Sequence, residues 1–153
     1  MKVIYIFVLI IMTIFGGNKV EIQSDLVKCM STPNSIIVYS ENISTKVSTE
    51  DSLYNKITES IITMCNDARE MPAFGVALDE ETRVAMETGL WVELVYNNTQ
   101  EYNEMPFDTL LIQVEKAYSG FNIIRKYKGK YDGRCFYLSL DGDMSALYNA
   151  ITK

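Results

Sequence analysis

Five of the fourteen basic residues, Arg125, Lys126, Lys128, Lys130 and Arg134, fall within ten consecutive positions. Tyr118, Tyr127, Tyr131 and Tyr137 flank or interleave with them. A guanidinium group grips carboxylates and phosphates by forked, charge-assisted hydrogen bonds, and an aromatic ring adds a stacking face. Gly129-Lys130 and Asp132-Gly133 are turn signals, so the cluster is expected at a hairpin tip. Arg125, Lys128, Arg134, Tyr127 and Tyr131 are therefore the candidate binding residues, for an anionic or sugar-bearing partner. The same lysines also suit a merely solvated hairpin, since charge on open strands blocks edge-to-edge pairing.

Other chemistry is narrowed by what the chain lacks. There is no histidine in 153 residues, which excludes Ser-His-Asp and Cys-His catalysis and nearly every zinc site other than an all-Cys or Cys/carboxylate one. Proton transfer falls to carboxylates, Tyr, Lys or Cys. The acids Glu101, Glu104 and Asp108 crowd one polar stretch beside Tyr102, and Glu104 with Glu93 or Glu115 would form the carboxylate pair of a hydrolase acting on a cell-surface polymer. Asp141-Gly142-Asp143 resembles a calcium-loop fragment. Without a closing Glu downstream it reads better as a turn and helix cap. No cofactor is implied.

The cysteines Cys29, Cys65 and Cys135 show no CxxC spacing and so no metal cluster. In an oxidising compartment Cys65 and Cys135 are the candidate disulfide, leaving Cys29 over. In any other setting all three serve as small buried hydrophobes. Asn42-Ile43-Ser44 and Asn97-Asn98-Thr99 fit the glycosylation pattern and matter only in a eukaryotic secretory host.

The compartment is read from the N-terminus. Lys2 precedes thirteen mostly apolar residues, 3–15, followed by Gly16-Gly17-Asn18-Lys19. This matches a secretory signal. As a helix it would span about 20 Å, short of the ~30 Å bilayer core. Residues 1–17 are expected to be a signal peptide or an uncleaved membrane anchor, residues 18–34 an extended arm, and residues 35–153 one domain. The protein is then secreted or held at the cell surface. Its partners would be an unknown surface ligand or protein, with the membrane touched only through the N-terminal segment. A membrane-anchored accessory subunit is the other reading of an uncleaved segment. The net charge is −6, and loss of Lys2 leaves 13 basic against 20 acidic residues. Such a balance repels nucleic-acid backbones.

The elements that must position these residues follow from periodicity. Residues 35–40 are a β-rich run. Leu53, Ile57, Ile61, Met64 and Ala68 recur at helical spacing, which predicts a long helix over 49–69 opened by Ser48-Thr49-Glu50-Asp51 and stopped by Pro72. Strands are expected over 74–78, 90–96, 109–114, 121–127 and 135–140. Short helices are expected over 79–88 and 144–152, and a polar loop over 97–106. Successive strands with short connections pair antiparallel. The expected fold class is α+β: a mainly antiparallel sheet of four to five strands, one long helix packed on a face, and a short C-terminal helix.

Overall fold

The computed structural model describes residues 25–72 and 75–153. The apolar segment 3–15, residues 18–24 of the stretch expected as an arm, and Phe74 lie outside the described residues; Asp25–Ser31 of that stretch is helical and not extended. Strands β1 (Ser35–Ser40), β2 (Ile43–Ser48), β3 (Arg69–Met71), β5 (Leu90–Tyr102), β6 (Met105–Gln113), β7 (Gly120–Lys126) and β9 (Phe136–Ser139) form one sheet in the order β2-β1-β5-β6-β7-β9-β3. Every pairing in it is antiparallel. Strands β4 (Val76–Ala77) and β8 (Gly133–Arg134) make a separate ribbon. The helices are α1 (Asp25–Ser31), α2 (Ser52–Met64), α3 (Asp79–Ala85) and α4 (Ser145–Thr152).

The expected sheet of four to five strands with one long helix is thus corrected on two points. The sheet has seven strands, and all four helices among the described residues are short. Helix α2 starts later than the periodicity predicts because Ser48 still belongs to β2. The Asp51 carboxylate accepts from the Ser48 amide at 2.7 Å and its hydroxyl at 2.9 Å, which fixes the strand-to-helix corner. At the other end the chain turns after Met64: Asn66 donates to the Thr63 carbonyl and Ala68 to that of Cys65. Asn and Asp compete with the helix for backbone partners, so Asn66-Asp67 favours that turn. Arg69–Met71 is then free to pair with β9, Arg69 opposite Ser139.

Two-residue hairpins with both central residues at positive φ set the register. Glu41-Asn42 (φ 48° and 65°) joins β1 to β2, and Asn103-Glu104 (φ 50° and 61°) joins β5 to β6. Stretch 97–106, expected as a loop, is instead the far end of β5, the turn and the start of β6. Glutamate is costly at a left-handed position, where glycine is preferred. Glu104→Gly is therefore expected to stabilise the protein by about 1 kcal/mol, a Tm rise of roughly 2–4 °C by calorimetry. An unchanged or lower Tm would mean that the Glu104 side chain offsets its backbone strain.

The core lies on one face of the sheet. Leu26, Val27 and Met30 of α1, Ile57, Ile61 and Met64 of α2, and Leu147 of α4 pack on Ile36, Val92, Leu94, Leu110, Ile112, Ile123 and Leu138. These strand positions alternate, as residues on one face of a sheet must. The opposite face carries a smaller cluster of Trp91, Leu111 and Tyr131, with Tyr39, Met86 and Ile124 packed against it. Helix α3 and the segment after β7 cover that face.

Cys65 is buried in the helix-side core, whereas Cys135 lines a depression with Trp91 and Ile124. Both are free thiols. The candidate Cys65–Cys135 disulfide is therefore not formed in this structure. Burial pushes the Cys65 thiol up to about 12, which keeps it protonated and inert. Iodoacetamide at pH 8 should leave Cys65 unmodified in the native protein and label it only on unfolding, as read by peptide mass spectrometry. Labelling of Cys65 at the native rate of an exposed thiol would contradict this burial.

Candidate functional site

Arg125 and Lys126 are neighbours on β7, so their side chains leave the sheet on opposite faces. This divides the basic–aromatic cluster. Arg125 and Arg134 go to one place, Lys126 and Tyr131 to another, and Tyr127 and Lys128 stay at the hairpin tip.

At the tip, Tyr127 and Lys130 exchange backbone hydrogen bonds across Lys128-Gly129, with φ of 50° and 83°. Lys128 donates its amide to Asp108 Oδ2 at 3.0 Å, and its ammonium sits 5.1 Å from the Tyr127 ring centre. Tyr131 is 1% exposed, which removes it from the surface expected of a binding residue.

Tyr131 belongs to an internal polar network. Glu93, itself 1% exposed, accepts from Tyr131 Oη at 2.6 Å, from Tyr39 Oη at 2.7 Å and from Lys126 Nζ at 3.1 Å. Burial, and then the Glu93 carboxylate, push both tyrosine hydroxyls well above their ordinary range. Lys126 and Arg83 lie 4.8 Å and 5.2 Å from the Tyr131 ring centre. Asp79 in the first turn of α3 accepts from Arg83 Nε at 3.0 Å and from the Tyr131 amide at 2.8 Å, and these bonds hold its carboxyl below the usual range. Arg83 also donates to the Gly129 carbonyl. Helix α3 and the hairpin are thereby fastened to the sheet. Among the described residues, no buried side-chain nitrogen or oxygen lacks a partner. The network has spent its bonding on itself.

The other place is different. The Asn103-Glu104 turn, Met105, Arg125 and Arg134 line an open depression of about 470 Å³. Arg125 continues the inward side of β7 beyond Ile123, where the core ends. Its Nε donates to the Arg134 carbonyl and its Nη1 to the Pro106 carbonyl, both at 2.7 Å. Gly133 has φ 95°, which strains any other residue, and a Cβ there would lie 3.1 Å from Arg125 Nη2 and crowd this guanidinium. Arg125 is half-buried, and desolvation lowers its pKa. No carboxylate lies within ion-pair distance of Arg125 or Arg134 among the described residues. The arrangement is a fixed, partly dehydrated cation beside an exposed one, with unspent donors facing solvent. An anion from outside is what such a pair can hold.

The carboxylates named for hydrolysis do not converge. Glu93 is buried on the other face, Glu104 lines the arginine depression, and Glu115 lines a third depression with Trp91, Gln113 and Tyr118. Asp143 accepts from the Ser145 amide at 2.8 Å at the start of α4. Among the described residues no group of three or more acids or cysteines is placed to hold a metal. None of their helices is long and apolar enough to cross a membrane.

Sequence reasoning missed Glu93, Tyr39 and Arg83 as parts of one network. A signal was present: Glu93 interrupts the apolar run Leu90–Tyr96, and a lone acid on a buried strand needs partners. Comparison with protein families, with curated proteins and with solved structures finds no match.

Proposed function

We propose that this chain is a small exported interaction module without catalytic machinery, which captures a surface partner at the depression between Arg125 and Arg134. The observation that carries the reading is the pairing of two arginines in one open depression, with no carboxylate among the described residues within ion-pair distance of either. A charge that is partly dehydrated and unpaired costs stability, and a partner's anionic group offsets that cost. Export rests on the apolar stretch 3–15 and the polar residues after it. Tyr131 and Lys128 leave the set of binding residues: the first is buried in the Glu93 network, and the second holds its ammonium over the Tyr127 ring and does not line the depression.

Immobilised wild-type protein should retain a partner from surface extracts, and Arg125→Gln/Arg134→Gln should lose most of it. Arg125 is half-buried and donates to two backbone carbonyls, so Arg134→Gln alone, at an exposed position, is the control for the fold: it should also lose capture while the melting temperature falls by no more than roughly 2 °C. Undiminished capture by the double variant would end the proposal. Mass spectrometry of the mature N-terminus tests export separately: a chain beginning at Met1 in the cytosolic fraction would contradict it.

A further inference from the structure

We infer that the group held between Arg125 and Arg134 is a single phosphoryl group, free or as a monoester; the inference rests on the reading above. An arginine has five N–H donors. Two of those on Arg125 are committed to the carbonyls of Arg134 and Pro106, which fixes the plane of the guanidinium. The other three have no acceptor among the described residues. Arg134 is exposed, and no side-chain hydrogen bond ties it down among those residues. One prepositioned cation and one exposed cation thus line the same depression.

Two charges and these open donors decide the ligand class. A carboxylate has two oxygens and one charge; a fork with one arginine satisfies it and leaves the second cation unmatched. A phosphoryl group carries about −1.5 to −2 charge at pH 7 and three terminal oxygens, so it can bridge both guanidinium groups. The net charge of −6 does not oppose this. Acids elsewhere are screened beyond about 8 Å at physiological ionic strength. Glu104 is the acid that lines the depression, and it opposes the bound anion. It also disfavours a polyanion, whose neighbouring phosphates would meet it, and so selects an isolated group.

The test follows the Arg125 and Arg134 Nε–H resonances by NMR at pH 7.5 and constant ionic strength. Inorganic phosphate, phenyl phosphate and acetate are titrated into the full chain. Saturable shifts of both arginines with either phosphate, and about tenfold weaker binding of acetate, are expected. Arg134→Gln, which keeps the backbone carbonyl that anchors Arg125, should weaken phosphate about tenfold. Glu104→Gln should strengthen it by a few-fold. Tighter binding of phenyl phosphate assigns the site to a monoester, and of inorganic phosphate to the free ion; both support the phosphoryl class. Acetate binding as tightly as phosphate, shifts that never saturate, or phosphate binding unchanged by Arg134→Gln would overturn it. If partner capture is lost in the double arginine variant while phosphate fails to bind, the ligand class falls and the binding module stands. If capture persists in that variant, the binding module itself falls.

Discussion

Glu93→Ala should destabilise the protein by about 3 kcal/mol, because it strips the acceptor from one ammonium, the buried Tyr131 hydroxyl and the half-buried Tyr39 hydroxyl at once. Removing one partner of a buried ion pair costs about 3–5 kcal/mol in general. The lower end applies here, since the Lys126 side chain retains 26% exposure and can reach water. Tyr131 cannot do so at 1% exposure. The intact pair is not a large net stabiliser, since its attraction mainly offsets the dehydration of both charges. Replacing both members by apolar residues of similar size, Glu93→Leu with Lys126→Met, should therefore recover at least half of what Glu93→Ala loses. Urea unfolding of the single and double variants measures both. A loss under about 1 kcal/mol for Glu93→Ala would mean that water already reaches the carboxylate. The network also locates Tyr131, so amide exchange in the hairpin around Tyr127 and Lys130 should quicken in the alanine variant.

Phe107→Ala is expected to cost about 3–5 kcal/mol. Phe107 is fully buried and lies between Tyr96, 5.6 Å away between ring centres, and Phe136, 5.9 Å away, both edge to face. Phe136 in turn meets Tyr102 at 5.3 Å. This chain of rings closes the core where β5 and β6 pass beyond the helices, and each such contact adds about 0.5–1.5 kcal/mol to area burial. Truncation opens a cavity that four paired strands cannot collapse into without breaking hydrogen bonds. Phe107→Leu, which keeps most of the volume, should lose less than half as much. Denaturant midpoints at unchanged slope would confirm the cavity origin of the loss. Equal stability of the two variants would show that the site relaxes freely.

How far the sequence was legible depends on where each element finds its partners. Ser35–Ser40 alternates Ile36 and Val38 with half-buried residues, and that local period is enough to read β1. In β2 the residues Ile43–Ser48 bury Val47 alone, because an edge strand packs on one neighbour only, so no hydrophobic period exists to be read. The end of β5 is polar, Asn-Asn-Thr-Gln-Glu, and is held in the sheet by backbone pairing past a register shift after Val95. Arg69–Met71 pairs with residues more than sixty positions away, which no window of sequence reveals. At the candidate site the residue types were visible and the partition was not. Arg125, Lys126 and Tyr131 are close in sequence, yet strand alternation and the burial of Glu93 send Lys126 and Tyr131 to one environment and Arg125 to another. The carbonyl anchors of Arg125 come from Pro106 and Arg134, and only the tertiary fold brings these together.

The decisive measurement is the dissociation constant of the captured partner for three chains: wild type, Arg134→Gln and Lys46→Gln. Lys46 lies on β2, the edge of the sheet remote in strand order from β7, and its loss removes the same unit of charge. If the arginine depression holds the partner, Arg134→Gln weakens binding about tenfold and Lys46→Gln less than about twofold. Equal weakening by both would show that bulk charge, and not this site, does the binding.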